Sequence, residues 1–166
     1  MRYTADWYAT DSRFDAMASR LDNPARILDF GAINTDTAVK LIARWPGCSA
    51  VVVGDEIDSL SSTRITAIPK RLTPSQIGKL GPFDVTLALS VLHHCVQWRN
   101  YLNVLRNSAP TLFIETAHPD EDLPNAKAHR HTADMITAVQ AIGEPIASTA
   151  GYDPRFQRTL WLVQSS

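Results

Sequence analysis

Short apolar runs and segments of helical period take turns along this chain, and few architectures accommodate such an alternation. The runs are Ile27-Leu-Asp-Phe, Ala50-Val-Val-Val, a weaker one at Ile65–Ile68, Phe83-Asp-Val-Thr-Leu-Ala-Leu, Thr111-Leu-Phe-Ile, Pro145–Ser148 and Arg158-Thr-Leu-Trp-Leu-Val. Apolar residues elsewhere recur at i, i+3, i+4 and i+7: Phe14, Met17, Ala18 and Leu21; Ala38, Leu41, Ile42 and Trp45; Trp98, Tyr101, Leu102 and Leu105. Met135, Val139 and Ile142 repeat the pattern more weakly. A short helix is marked by its ends, with Thr73 as cap, Pro74 at the first helical position and Gln76 closing a capping box before Gly81-Pro82 stops it. The runs at 50–53 and 85–89 are almost unbroken, as strands are when helices cover both faces of a parallel sheet. This order predicts an α/β fold, a doubly wound and mostly parallel sheet. The last two runs are joined by a short Gly- and Pro-containing link, which predicts a C-terminal antiparallel hairpin. Ligands of such sheets bind beyond the carboxyl ends of the strands.

At 166 residues, one domain over 1–166 with one hydrophobic core is expected. Apolar residues are 45% and charged residues 20%, an ordinary globular balance. The formal charge of −1 supplies no global field toward nucleic acid or an anionic membrane. Lys127, Arg130, Arg155 and Arg158 are too scattered to form a nucleic-acid surface. Every apolar run is far shorter than the roughly 20 residues that span a bilayer. The opening Met1-Arg-Tyr-Thr-Ala-Asp-Trp has no apolar export core, and Cys48 and Cys95 lack disulfide or zinc spacing. The expectation is a cytoplasmic protein with two reduced, packed thiols.

Asp29-Phe-Gly-Ala-Ile-Asn-Thr-Asp closes the first strand and opens a helix that Asn34 or Thr35 can cap. Gly31 permits a tight turn and a close ligand approach. A dinucleotide fingerprint would need glycine where Ile33 and Asp36 stand; Ile33 would obstruct a pyrophosphate and Asp36 would repel it. A ligand without phosphates avoids that repulsion, which disfavours a nicotinamide or flavin dinucleotide. The second strand ends in Asp55-Glu56, one of which can accept hydrogen bonds from ribose hydroxyls; the plainer reading is two solvated loop acids.

Together these segments resemble the class I S-adenosylmethionine-dependent methyltransferases, a Rossmann-like family. The resemblance rests on Ile27-Leu-Asp-Phe-Gly-Ala, on Val53-Gly-Asp-Glu-Ile-Asp, on Phe83-Asp-Val-Thr-Leu-Ala-Leu-Ser-Val-Leu-His-His as the most specific match, on Phe113-Ile-Glu-Thr and on Arg158-Thr-Leu-Trp-Leu-Val. It implies S-adenosylmethionine as cofactor and a small molecule or an accessible polypeptide group as methyl acceptor. It further implies that Asp29, Gly31 and Ala32 face the methionine and ribose part, that Asp55 or Glu56 holds the ribose, and that Ser90, Val91 and Leu92 lie along the cofactor near the methyl. Two departures stand out. Ala32-Ile33-Asn34-Thr35 replaces the family's glycine-rich loop, and Lys70-Arg71 stands where an acid often lies near the adenine. The altered loop also suits a rival reading, a non-catalytic domain of this fold that binds a partner or a nucleoside.

Methyl transfer is an in-line displacement, so catalysis can come from positioning alone; a base is needed only for an acceptor that must lose a proton. His93 and His94 follow the fourth strand directly and titrate near neutrality, with His93 the preferred base; the plainer reading, which weighs more for each, is that it hydrogen-bonds the loop backbone. Glu115 and His118 are candidates to line the acceptor pocket from the far side. His118, Asp120, Glu121, Asp122, His129 and His131 lack a metal-ligand spacing, so no metal is expected. Tyr3, Trp7, Tyr8, Arg13 and Phe14 form an aromatic segment that can pack on the sheet or close over the cofactor. Trp45, Trp98 and Trp161 fall on expected core faces.

Overall fold

The computed structural model describes residues 11–57 and 62–165. Among the described residues there are seven strands: β1 Arg26–Phe30, β2 Ser49–Val53, β3 Ile65–Ile68, β4 Val85–Leu89, β5 Thr111–Thr116, β6 Glu144–Ala150 and β7 Gln157–Gln164. They form one sheet in the order β3-β2-β1-β4-β5-β7-β6. The first five are parallel, and β7 runs antiparallel to both β5 and β6. The helices are α1 Asp11–Ala18, α2 Asp36–Arg44, α3 Pro74–Ile77, α4 Trp98–Ser108 and α5 Thr132–Gln140. The expected mostly parallel α/β sheet with a C-terminal antiparallel hairpin is therefore the fold observed. The hairpin docks through β7, which lies between β5 and β6.

Side-chain alternation shows why the strands read as continuous apolar runs. Leu28, Val51, Ala88, Leu112, Ile114, Trp161 and Val163 enter one core, together with residues of α3, α4 and α5. Ile27, Ala50, Val52, Val85, Leu87, Phe113, Leu160 and Leu162 enter the other, against Met17 of α1 and Ala38, Leu41 and Ile42 of α2. Both faces are dry, so neither register parity selects polar residues. The capping box at α3 forms as expected: the Gln76 backbone N–H donates to Thr73 Oγ1 at 3.3 Å, and the Thr73 N–H donates to Gln76 Oε1 at 2.9 Å. Phe83 belongs to the core but precedes β4. At the outer edge, β6 carries Pro145 and a register irregularity between Pro145 and Ala147, devices that blunt an exposed strand.

This topology decides where the chemistry gathers. β1, β2 and β4 finish side by side at their carboxyl ends. Because β7 is antiparallel, pairing Thr116 with Thr159, its beginning lies at that same edge of the sheet.

Candidate active site

The turn after β1 is fastened to the end of β2: the N–H groups of Gly31 and Ala32 both donate to the Val53 carbonyl, at 2.8 and 3.1 Å. Gly31 has φ +77°, a conformation that favours glycine, and a Cβ there would overlap the Val91 side chain. A Cβ on Gly54 would overlap the Ala32 carbonyl oxygen, so the two loops approach backbone to backbone. The side chain that caps α2 is Asn34, whose Oδ1 accepts from the Asp36 N–H at 3.0 Å; Thr35 makes no side-chain cap. Asp36 adds a carboxylate in the first turn.

Beyond these strand ends lies a cleft, partly open to solvent. Of the residues expected there, Asp29, Gly31, Ala32, Asp55, Glu56, Ser90, Val91, His93 and His94 line it. Leu92 does not: it opens the tight turn Leu92–His94 and is buried in the α3–α5 core, correcting its expected place along the cofactor. Glu115 is also absent from the lining. It is buried behind it, taking two hydrogen bonds from Arg13 Nη1 at 3.2 and 3.3 Å and one from Thr149 Oγ1 at 2.8 Å. Its carboxylate is committed to these partners, which removes it as an acceptor-pocket acid. His118 lies away from the cleft and stacks on Phe156 at 4.9 Å. Tyr3, Trp7 and Tyr8 of the aromatic segment lie outside the described residues; Arg13 reaches the cleft, and Phe14 packs on the α1–α2 core. Trp98 and Trp161 are buried, and Trp45 packs partly exposed against the same core as Phe14. Among the described residues, no group of three or more His, Cys, Asp or Glu side chains is placed to hold a metal ion.

The cleft sets these groups' protonation. Burial raises the Asp29 carboxyl from 3.8 to about 7, against the lowering pull of Arg13. Burial holds His93 well below the usual imidazole range, helped by the charges of His94, Arg158 and His129. His94 is lowered by burial and by Arg71 and Arg158, only partly offset by a bond with the Asn125 backbone and by the charge of Asp55. Both imidazoles are thus neutral at pH 7, and each, His93 above all, is a weaker base than a free imidazole. Burial pushes Cys95, also in the lining, up to about 12, so it stays a packed thiol. Asp55 is engaged by Arg71 at 2.8 Å in an exposed pair.

A buried polar chain crosses the floor of the cleft from α1 to β7. Arg13 pairs with Glu115, Ser90 Oγ hydrogen-bonds to Glu115, and Arg158 Nη1 donates to Ser90 Oγ at 2.7 Å. Arg158 in turn donates twice to Glu121, at 2.8 and 3.0 Å. Ser90 holds φ +55°, rare for a residue with a side chain, at the junction of this chain. Sequence reasoning missed the roles of Arg13, Arg158, Glu121 and Tyr152. A signal existed for two of them: Arg13 stands one turn before Met17 on the buried stripe, and Arg158 heads an otherwise apolar strand, where a charge demands a partner.

No protein-family model matches the chain, and no curated protein matches it in sequence. Solved structures do match. The bifunctional kinase-methyltransferase WbdD superposes with a TM-score of 0.65 at 15% identity, over 99% of this chain and 40% of that one. The N-terminal domain of EvdMO1 with S-adenosylhomocysteine bound gives 0.62 at 16%, over 93% and 80%. An O-methyltransferase family protein from Burkholderia thailandensis gives 0.64 at 14%, over 95% and 56%. The chain thus spans well under two thirds of WbdD and of the Burkholderia protein, and four fifths of the EvdMO1 domain. With identities this low the likeness speaks for architecture, and it agrees with the strand order and cleft described above: the chain has the fold of the class I S-adenosylmethionine-dependent methyltransferases.

Proposed function

We propose that the protein is an S-adenosylmethionine-dependent methyltransferase acting on a small molecule or an accessible polypeptide group. The observation that carries this reading is the fastening of Gly31 and Ala32 to the Val53 carbonyl, which brings Asp29 and the Asp55-Glu56 pair around one crevice. The crevice suits a nucleoside that is cationic and lacks phosphates: its acids cluster at the β1 and β2 ends, and Val91 and Leu89 offer an apolar wall. Asp29 would face the methionine ammonium, the Gly31 turn would lie against the ribose, and Asp55 or Glu56 would accept its hydroxyls. Asp55 already serves Arg71, which leaves Glu56 the readier ribose acceptor. When bound, S-adenosylmethionine supplies an electrophilic methyl group on a sulfonium. The chain's own part is to orient an acceptor and, for a hydroxyl acceptor, to receive its proton. His94 is the better candidate for that proton, since it lines the cleft and is less buried than His93. His93 stands beside it, 4.3 Å away between ring centroids.

A thermal-shift series with S-adenosylmethionine, S-adenosylhomocysteine and NAD tests this. A ligand at 100 times its dissociation constant stabilises by about 2.7 kcal/mol, a rise of several degrees for a domain of this size. Both sulfur nucleosides should raise Tm and NAD should not. No response to either sulfur nucleoside at millimolar concentration would instead favour the non-catalytic, partner-binding reading that the Ala32–Thr35 loop allows.

A further inference from the structure

We propose that the loop after β5 (117–128) and the β6–β7 link (151–156) form one wall of the acceptor half, locked together by the buried Glu121 carboxylate. Leu123 and Tyr152 give that wall its surface, and they select an acceptor with an apolar ring beside its reacting group. Glu121 is then a positioning residue that touches no ligand itself; the inference deepens the methyltransferase reading and rests on it. From its own loop Glu121 accepts from the His118 N–H at 3.0 Å, and from β7 it accepts twice from Arg158, at 2.8 and 3.0 Å. From the link it takes the Asp153 backbone N–H. A Cβ added to Gly151 would stand 2.3 Å from Glu121 Oε1, so the link's backbone lies directly against the carboxylate. His118 stacks on Phe156 at 4.9 Å, a second tie between the same two loops. Farther along, the Ala128 N–H donates to the His93 carbonyl at 2.9 Å and fastens the loop to the turn after β4. Several charge-assisted bonds converging on one buried carboxylate fix geometry as well as energy.

Leu123 lies between the fastenings at Glu121 and Ala128, and Tyr152 follows Gly151 directly. Both residues line the cleft and both are partly exposed, as groups that meet a ligand must be. Their loops belong to the β5 and β7 side of the sheet. The lining acids Asp29, Asp55 and Glu56 stand instead at the β1 and β2 ends, which would hold the cofactor. The acceptor half therefore falls to these two loops, and Leu89 and Val91 continue its apolar surface. Of the consecutive loop acids Asp120, Glu121 and Asp122, none joins the lining. Most hydroxyls of a polyol would be stripped of water against Leu123 and Val91, whose side chains offer no hydrogen bond. An apolar ring gives up only unfavourable contacts with water, and the Tyr152 ring adds an aromatic surface against which another ring packs well. The single reacting hydroxyl still finds His94 in the same lining.

The test uses two uncharged ring alcohols, para-nitrobenzyl alcohol and myo-inositol, in equilibrium dialysis against the whole protein saturated with S-adenosylhomocysteine. The aromatic alcohol should bind saturably, and a large excess of myo-inositol should not displace it. L123S and Y152S should each weaken the aromatic probe roughly tenfold, the loss of one well-packed side chain. G151A should weaken it comparably although Gly151 is outside the lining, because its Cβ must push the link off Glu121. Affinity for S-adenosylhomocysteine is read first in every variant and should stay near the parent's, which separates a displaced wall from a collapsed domain. A parent protein that ignores the aromatic probe, or releases it to myo-inositol, overturns the proposal without any variant having to fold. So does parent-like probe affinity in L123S and Y152S, or in G151A. Failure of S-adenosylhomocysteine itself to bind the parent is seen before any probe is added and sinks the methyltransferase reading instead.

Discussion

At the β1–β2 end of the cleft the charged partners are exposed and near in sequence: Asp55 and Arg71 are 16 residues apart, with side chains 52% and 55% accessible. At the β5–β7 end they are sealed and remote: Arg158 and Glu121 are 1% and 0% accessible, and Arg13 reaches Glu115 across 102 residues. The same chemistry, a guanidinium on a carboxylate, therefore does different things at the two ends. In water, the first pair gains little, because each group is well solvated without the other. Behind the cleft, neither partner of the second can be left alone, because a lone buried charge has no solvent to fall back on. One end can adjust to a ligand, and the other is a fixed electrostatic frame.

The sharpest way to break this comparison is to remove one half of the sealed pair. Arg158→Met strands the Glu121 carboxylate and should cost about 3–5 kcal/mol in urea denaturation, whereas R158M/E121M should recover most of that loss. Equal losses in the single and double variants would mean that the pair is not the frame described here.

A smaller and pH-dependent effect is expected at Asp29, where the two ends meet. Folding favours its protonated form, so its contribution to stability is complete below the ordinary value of 3.8 and disappears as pH climbs to about 7. Asp29→Asn should therefore raise Tm at pH 8 by several degrees and leave it almost unchanged near pH 4, while weakening binding of S-adenosylhomocysteine, whose ammonium it would face. Wild-type affinity for that ligand should correspondingly be higher at pH 8 than at pH 6. A variant as pH-dependent as the parent in scanning calorimetry would show that Asp29 is not the group responsible.

Smallest of all is the exposed pair. Arg71→Ala should change stability by no more than about 1 kcal/mol, and the difference should shrink further in high salt. A loss as large as that of Arg158→Met would erase the distinction between the two ends.

The first end could be read from the chain itself, because its parts are local. Asp29, Gly31 and Asn34 lie within one strand-to-helix turn, and their residue types already limit the backbone and the ligand. Ser90, Val91, His93 and His94 could likewise be assigned to the mouth of the sheet, since they follow an apolar strand directly. What misled was the direction of side chains within that turn. Leu92 and its neighbours occupy a 3₁₀ turn, Leu92–His94, whose rotation sends Leu92 into the core and His93 and His94 to the cleft, and no period of two or 3.6 describes three residues. Glu115 looked available because it ends a strand; only the approach of Arg13, Thr149 and Ser90 from three other elements withdraws it.

The sequence by itself determined the order and type of the elements, the double coverage of the sheet and the turn at Gly31, because hydrophobic period and backbone sterics act between residues a few positions apart. Tertiary structure alone decided that β7 inserts beside β5, which carries Arg158 to the strand ends and seals it against Glu121 and Ser90. Such pairings span 37 to 102 residues and depend on which charges share a space without water, and that is a property of the folded interior rather than of any segment.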